Sequence, residues 1–207
     1  MTLAFLSPWR CAGLRRRLAP LLAGSSCIVV GSAPGAKPVP ADRVICVNGS
    51  GWIAAAQGTP IPDLTVLAGY ALRPDSDVRL ATQDALRGLR TRTLLFIETG
   101  CSKGLAVNTL ARLGYQYDRL LTIAGSDRAT ISRLVAGKPR PPPHQPHGPS
   151  TGLFAVALAL WAGARDVKMT GFSLAGGHAY IAGPTHREHV DADSWFLSRI
   201  ADRFEIV

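Results

Sequence analysis

An almost unbroken alternation of short apolar runs with helix-length stretches limits what this chain can fold into. The apolar runs fall at residues 27–31, 44–47, 64–68, 93–97, 119–123 and 166–170, with a shorter one at 204–207. Helical patterns occupy residues 51–56, 77–88, 103–113, 127–135, 151–161 and 192–202. A strand that is apolar on both sides of its pleat is buried on both faces, and the intervening helices supply the cover. The pattern therefore predicts an α/β fold, a single domain with a mostly parallel sheet and helices on both faces. At 207 residues the chain can bury a substantial core in one such unit. In folds of this kind the ligand sits beyond the carboxyl ends of the strands, near the point where strand order reverses.

The segments that leave those strand ends carry the chemistry. The first run enters GSAPGAKP, where Gly31, Ser32, Ala33 and Pro34 form a small-residue turn. Such a turn lets backbone amides approach a phosphate or ribose. It is not a GxGxxG fingerprint, because Pro34 stands where a dinucleotide-binding helix would continue, and no Gly-Lys-Ser/Thr follows to make a P-loop. A plain tight turn is the alternative. The second run ends in Asn48-Gly49, which can present an amide to a base or sugar, or simply turn the chain. Ser150-Thr151-Gly152 opens the apolar stretch LFAVALALWAGA. Either hydroxyl can cap that helix, and its free amides and dipole favour an anion. Gly171 and Phe172 close the next strand, and a loop with His178, Tyr180, His186 and His189 follows. It holds three of the chain's five histidines within twelve residues. Tyr180 could donate its phenol to a leaving phosphate oxygen. His189 or His186 could take a proton at neutral pH, since the reference pKa of histidine is ~6.5.

Two segments stand outside the alternation. Residues 137–148, GKPRPPPHQPHG, hold five prolines in twelve positions and can be neither helix nor central strand. They read as a surface loop, or as a lid that brings Lys138 and Arg140 to an anionic ligand. Residues 1–25 form a basic N-terminal helical segment, with residues 26–207 as the nucleotide-binding domain proper. The N-terminal segment has some features of a signal peptide. However, its apolar part is short and interrupted by Pro20, and cleavage would expose the first strand, so export is not expected. As a basic amphipathic helix over residues 9–22 it could instead touch an anionic membrane, or serve as an ordinary covering helix.

Lys plus Arg exceed Asp plus Glu by 23 to 14, a net charge of +9 that favours anionic partners. No Lys/Arg block is interleaved with aromatics, so nucleic acid is not expected. Cys11, Cys27, Cys46 and Cys101 form no CxxC pair, which fits a reduced, cytoplasmic protein. The run LFAVALALWAGA is too short to span a bilayer. Asp75-Ser-Asp77 and Asp191-Ala-Asp193 match the Asp-x-Asp pattern of metal-dependent sugar transferases, but both lie at helix starts, where aspartates serve as caps. His178, His186, His189 and Asp191 follow no standard zinc spacing. No metal and no other cofactor is expected.

Taken in order, these pieces resemble the sialyltransferases, in particular the small bacterial ones built on a single Rossmann-like domain. The Gly31-Ser-Ala-Pro34 turn, Asn48, Ser150-Thr151-Gly152, Thr170-Gly171, Tyr180 and a histidine before a helix follow that family's sequence of motifs. The similarity is scattered over residues 27–50 and 149–200. The chain departs from the family at Ser32, where many members carry asparagine, and near Ala175, where a second tyrosine is expected.

The resemblance implies metal-independent, inverting transfer of sialic acid or a related acidic sugar from a CMP-sugar donor to a glycan or glycolipid acceptor. It places the cytidine against Gly31–Pro34, Asn48 and Gly49, and the phosphate against Ser150, Thr151, Gly152 and Tyr180. It makes His189 the base, with Leu197 and Ile200 following at the family's apolar spacing. His186 competes, because Asp191 then falls where the family often has an acidic residue. A cytoplasmic enzyme of bacterial polysaccharide biosynthesis, peripheral at the inner face of the membrane and able to self-associate, would fit this reading. Two alternatives stay open. One is a Mg²⁺-dependent transferase resembling the pterin diphosphokinases, with Asp75, Asp77 or Asp191 at the metal. The other is a non-catalytic nucleotide-binding or scaffold domain.

Overall fold

The computed structural model describes residues 7–137, 148–174, 177–180 and 189–207, with side chains from residue 11 onward. The chain runs α1 (Ser7–Leu22), β1 (Ser26–Val30), β2 (Arg43–Val47), α2 (Gly51–Ala56), β3 (Leu64–Ala68), α3 (Asp77–Leu86), β4 (Arg90–Glu98) and α4 (Lys103–Arg112). It continues through β5 (Gln116–Ala124), α5 (Gly125–Val135), α6 (Thr151–Ala162), β6 (Asp166–Thr170), α7 (Val190–Ile200) and β7 (Glu205–Ile206). Short 3₁₀ turns follow β2 at Asn48–Ser50 and β3 at Gly69–Leu72.

The seven strands form one sheet in the order β5-β4-β3-β2-β1-β6-β7, and every pair is parallel. The chain lays down β1 to β5 toward one edge, then crosses back to place β6 on the other side of β1. Strand order therefore reverses between β1 and β6. Both faces of the sheet are covered, as the continuous apolar strands require. On one face Cys27 and Val29 of β1 share a core with Leu18 of α1, Ile131 of α5, Phe154 of α6 and Phe196 of α7. On the other, Ile28 and Val30 pack with Ile53 of α2. Further along that face, Leu94 and Phe96 of β4 meet Leu86 of α3 and Leu110 of α4. Nine of the twelve residues of α6 are buried, which explains a helix that is apolar on all sides.

Three boundaries differ from the sequence expectation for physical reasons. β4 and β5 extend further than their apolar centres, because their N-terminal ends are held by polar edge contacts such as the Arg90–Asp118 ion pair at 2.6 Å. α5 begins two residues earlier than expected, with Asp127 in its first turn accepting from the Ala124 N–H at 3.1 Å. α1 begins at Ser7, two residues before the expected start, and runs as expected through Pro20, which stands in its last turn, where only one intrahelical hydrogen bond is lost. Cys11, Leu14, Leu18 and Leu22 turn one face of α1 into the main core, so its apolar stripe is already covered, while Arg15, Arg16 and Arg17 stay exposed. No helix among the described residues is long and apolar enough to cross a membrane.

All four cysteines are buried, and among the described residues none forms a disulfide. Burial pushes the thiol pKa of Cys27 up to about 11 and that of Cys46 up to about 12, from an ordinary value near 9. Because a raised pKa depletes the thiolate, these two should react with alkylating reagents roughly 100- to 1,000-fold more slowly than a free thiol. A disulfide-exchange assay of the native protein at neutral pH should titrate neither, and guanidinium should release four thiols. Rapid labelling of Cys27 or Cys46 in the native state would contradict the packing of β1 and β2.

Candidate functional site

Where strand order reverses, the backbones of two loops meet. The Gly31 N–H donates to the Thr170 carbonyl at 2.8 Å, and the Ala33 N–H donates to the Gly171 carbonyl at 2.8 Å. A Cβ on Gly31 would lie 2.3 Å from the Gly171 carbonyl oxygen. Gly171 has φ +64, and a Cβ there would come within 2.8 Å of the Gly31 carbonyl oxygen. The two strand-end glycines thus exist because each leaves room for the other's backbone. Ser50 ties the second strand in: its hydroxyl donates to the Val30 carbonyl at 2.6 Å and accepts from the Val47 N–H at 2.8 Å.

Above this junction lies a cleft of about 900 Å³, within the usual range for small-molecule sites. Of the residues singled out in the sequence, it brings together Gly31, Ser32, Ala33, Asn48, Ser150, Thr151, Gly152, Gly171, Phe172, Tyr180 and His189. Pro34 and Gly49 are not on its wall. Gly49 lies behind Tyr180, where a Cβ would stand 3.3 Å from the tyrosine's Cε1. His186, Lys138, Arg140 and the proline-rich segment lie outside the described residues.

One side of the cleft is built from the β1 and β2 turns and the loop after β6. The Ser32 hydroxyl is 2.5 Å from His178 Nδ1, and the Ala179 N–H donates to the Ser32 carbonyl at 2.6 Å. The His178 and Tyr180 rings stack with centroids 5.2 Å apart, and the Tyr180 hydroxyl is 3.2 Å from Thr82 Oγ1. Burial pushes the Tyr180 phenol above its ordinary pKa, against hydrogen bonds with Thr82 and Ser32 that pull it down. Asn48 adopts φ +49, and its Oδ1 accepts from the Ala68 N–H at 3.1 Å. Its carboxamide oxygen therefore shapes the turn after β3, while its Nδ2 has no hydrogen-bond partner among the described residues.

The opposite side is where the N-termini of α6 and α7 come together. Asp193, wholly buried on α7, accepts from the Ser150 N–H at 2.6 Å. Its own N–H donates to the carbonyl of His189, the N-cap residue of α7, at 2.8 Å. Among the described residues no side chain caps α6, and the buried Ser150 hydroxyl has no partner. The first-turn amides of α6 are thus unfilled donors at the edge of the cleft. Tyr70, from the turn after β3, places its hydroxyl 3.1 Å from Thr151 Oγ1. The Arg79 guanidinium lies 5.9 Å from the Tyr70 ring centre. Arg128 is buried on the same wall. Its guanidinium packs 5.7 Å from the Phe154 ring centre and donates to the Pro149 carbonyl. Burial pulls its pKa below the ordinary arginine value, with the charge of Tyr70, Asp193 and a hydrogen bond to Tyr70 opposing that shift.

The sequence pattern did not single out Tyr70, Arg79 or Arg128. For Tyr70 a signal existed: Ala68-Gly69-Tyr70 ends a third strand on the same edge as Gly31 and Gly171. Asp193, noticed in the sequence only as part of an Asp-x-Asp match at a helix start, accepts from the Ser150 N–H 43 positions away. Asp75, the other Asp-x-Asp candidate, is clamped between Arg73 at 2.6 Å and Arg79. The hydrogen bond from Arg79 lowers its pKa below the usual carboxylate range. Asp77 and Asp191 sit in the first turns of α3 and α7. Among the described residues, no three His, Cys, Asp or Glu side chains gather in metal-binding geometry.

No family model matches the chain, and no curated protein matches it in sequence. It is similar to a structure of the sialyltransferase CST-II in complex with a trisaccharide acceptor and CMP, at 10% identity and a TM-score of 0.49, over 87% of this chain and 80% of that one. It is also similar to CstII from Campylobacter jejuni in complex with cytidine-5'-monophosphate, at 10% identity and a TM-score of 0.47, covering 88% and 79% of the two chains. A third structure, the same enzyme in complex with CMP-3FNeuAc, gives 11% identity and a TM-score of 0.46, covering 88% and 78%. Likenesses this distant say nothing about what the present cleft binds.

Proposed function

We propose that this chain is a glycosyltransferase that moves sialic acid or a related acidic sugar from a CMP-sugar donor to a glycan or glycolipid acceptor, with inversion and without a metal. The observation that carries this reading is a single cleft at the β1/β6 reversal, opened onto by the Gly31–Ala33 turn, Asn48, the uncapped start of α6 and His189. The cytidine would lie along the glycine turn and Asn48, where small residues let the backbone approach. The phosphate would meet the first-turn amides of α6. His189 would accept the proton of the attacking acceptor hydroxyl as the new C–O bond forms at the anomeric carbon. The bond from that carbon to the phosphate oxygen breaks, and its electron pair leaves with CMP. Oriented donors at the phosphate each contribute about 3–4 kcal/mol to such a step, which removes the need for a metal ion there.

Calorimetric titration with CMP in EDTA, set beside ATP with Mg²⁺, tests the reading. CMP should bind with EDTA present, and CMP-sialic acid should then be consumed when an acceptor glycan is supplied. Binding of ATP only with Mg²⁺ would overturn the reading in favour of diphosphate transfer. Binding of neither nucleotide would overturn the donor site itself.

A further inference from the structure

Tyr180 is the tyrosine that the order of sequence motifs places at the phosphate, yet its hydroxyl is held by Thr82 on the opposite side of the cleft, at 3.2 Å. Tyr70 is the tyrosine at the start of α6, with its hydroxyl 3.1 Å from Thr151 Oγ1. We propose that Tyr70 is the phenol that serves the donor's phosphate, that the buried Arg128 supplies the positive charge behind it, and that Tyr180 serves the nucleoside. This inference rests on the CMP-sugar reading above.

Three observations converge on an anion at this spot. Among the described residues no side chain caps the amides of the first turn of α6, so they need an acceptor. Arg128 is only 2% exposed, lines the cleft, and has an Nε–H with no hydrogen-bond partner among the described residues. A guanidinium cannot shed its proton, so burying one without a bound carboxylate is costly. Among the described residues Arg128 makes no ion pair. The nearby carboxylate, Asp193, already accepts from the Ser150 amide at 2.6 Å. A phosphate docked at Thr151 would take up the amides, the phenol hydrogen of Tyr70 and the field of Arg128 together. As the anomeric C–O bond breaks, negative charge grows on that phosphate, and the hydrogen bond from Tyr70 strengthens without any proton changing hands.

The test is calorimetric titration of the full chain with CMP, cytidine and inorganic phosphate, comparing wild type with Tyr70→Phe and Tyr180→Phe. The quantity read is the preference for CMP over cytidine, which isolates the phosphate. Tyr70→Phe should cut that preference by about tenfold or more and weaken inorganic phosphate by a similar factor, with cytidine affinity unchanged. Tyr180→Phe should weaken CMP and cytidine together and leave the preference intact. Should Tyr70→Phe fail to fold, Thr151→Val removes the neighbouring hydroxyl at constant shape and should lower the same preference. An unchanged preference in Tyr70→Phe, or a loss seen only in Tyr180→Phe, overturns the inference. Phosphate binding that depends on Tyr70 while cytidine adds nothing would uphold the anion site and overturn the CMP-sugar reading. Binding of neither CMP nor inorganic phosphate would overturn both.

Discussion

His189→Ala should lower sugar transfer by about 10²–10⁴-fold while CMP binds with unchanged affinity. His189 stands at the N-cap of α7 and lines the cleft shared with the start of α6. A base there can face the acceptor hydroxyl while the phosphate occupies the helix start beside it. The substitution leaves the surrounding backbone in place, because it is the His189 carbonyl that the Asp193 N–H bonds, at 2.8 Å. Asp193 would still hold the Ser150 amide at 2.6 Å, so the phosphate side of the cleft keeps its shape. The effect should therefore fall on kcat and not on nucleotide binding, which separates a base from a binding residue. The measurement is steady-state transfer from CMP-sialic acid together with CMP calorimetry on the same preparation. Wild-type turnover in His189→Ala, with His186→Ala inactive, would move the base to His186. Weakened CMP binding with normal kcat would make His189 a donor-site residue instead.

The sheet was legible in the sequence because burial on both faces writes an uninterrupted apolar run for each interior strand. Leu64–Ala68, buried at every position, falls where the pattern puts it. β5 was legible only over 119–123, since an edge strand keeps polar residues such as Gln116 and Asp118 that no apolar criterion detects. The same contrast holds in the cleft. Gly31, Asn48, Thr151 and Gly171 could be found because each stands at a strand end or helix start, and a parallel sheet delivers all those ends to one edge. Tyr70 could not be paired with Thr151, 81 positions away, nor Ser150 with Asp193, 43 positions away, by any local pattern. Arg128 is the extreme case. In SDRATISRL it reads as one more charge on a solvated helix, and only the packing of α5 against α6 turns it inward. Residues that bind through backbone geometry leave local signatures, whereas residues that act through a distant side chain do not.

Gly31→Ala should destabilise the protein by about 3 kcal/mol and abolish CMP binding. The added Cβ would stand 2.3 Å from the Gly171 carbonyl oxygen, 3.1 Å from its carbonyl carbon and 3.3 Å from the Thr170 carbonyl oxygen. All three are backbone atoms, so no side chain can rotate away to make room. Relief requires the β1 and β6 ends to separate, which breaks the Gly31 N–H bond to the Thr170 carbonyl at 2.8 Å and shifts the Ala33 bond beside it. Those two bonds set the floor of the cleft, so stability and nucleotide binding should fall together. Gly35→Ala is the informative contrast. Gly35 has φ +79 and nothing within 4 Å of its would-be Cβ, so alanine there meets only backbone strain of about 1–2 kcal/mol. Urea denaturation should rank the two variants in that order, and CMP calorimetry should show binding retained in Gly35→Ala alone. A Gly31→Ala protein with the wild-type midpoint would mean that the two loops do not meet as described. The β1/β6 junction would then lose its claim to be the floor of the site.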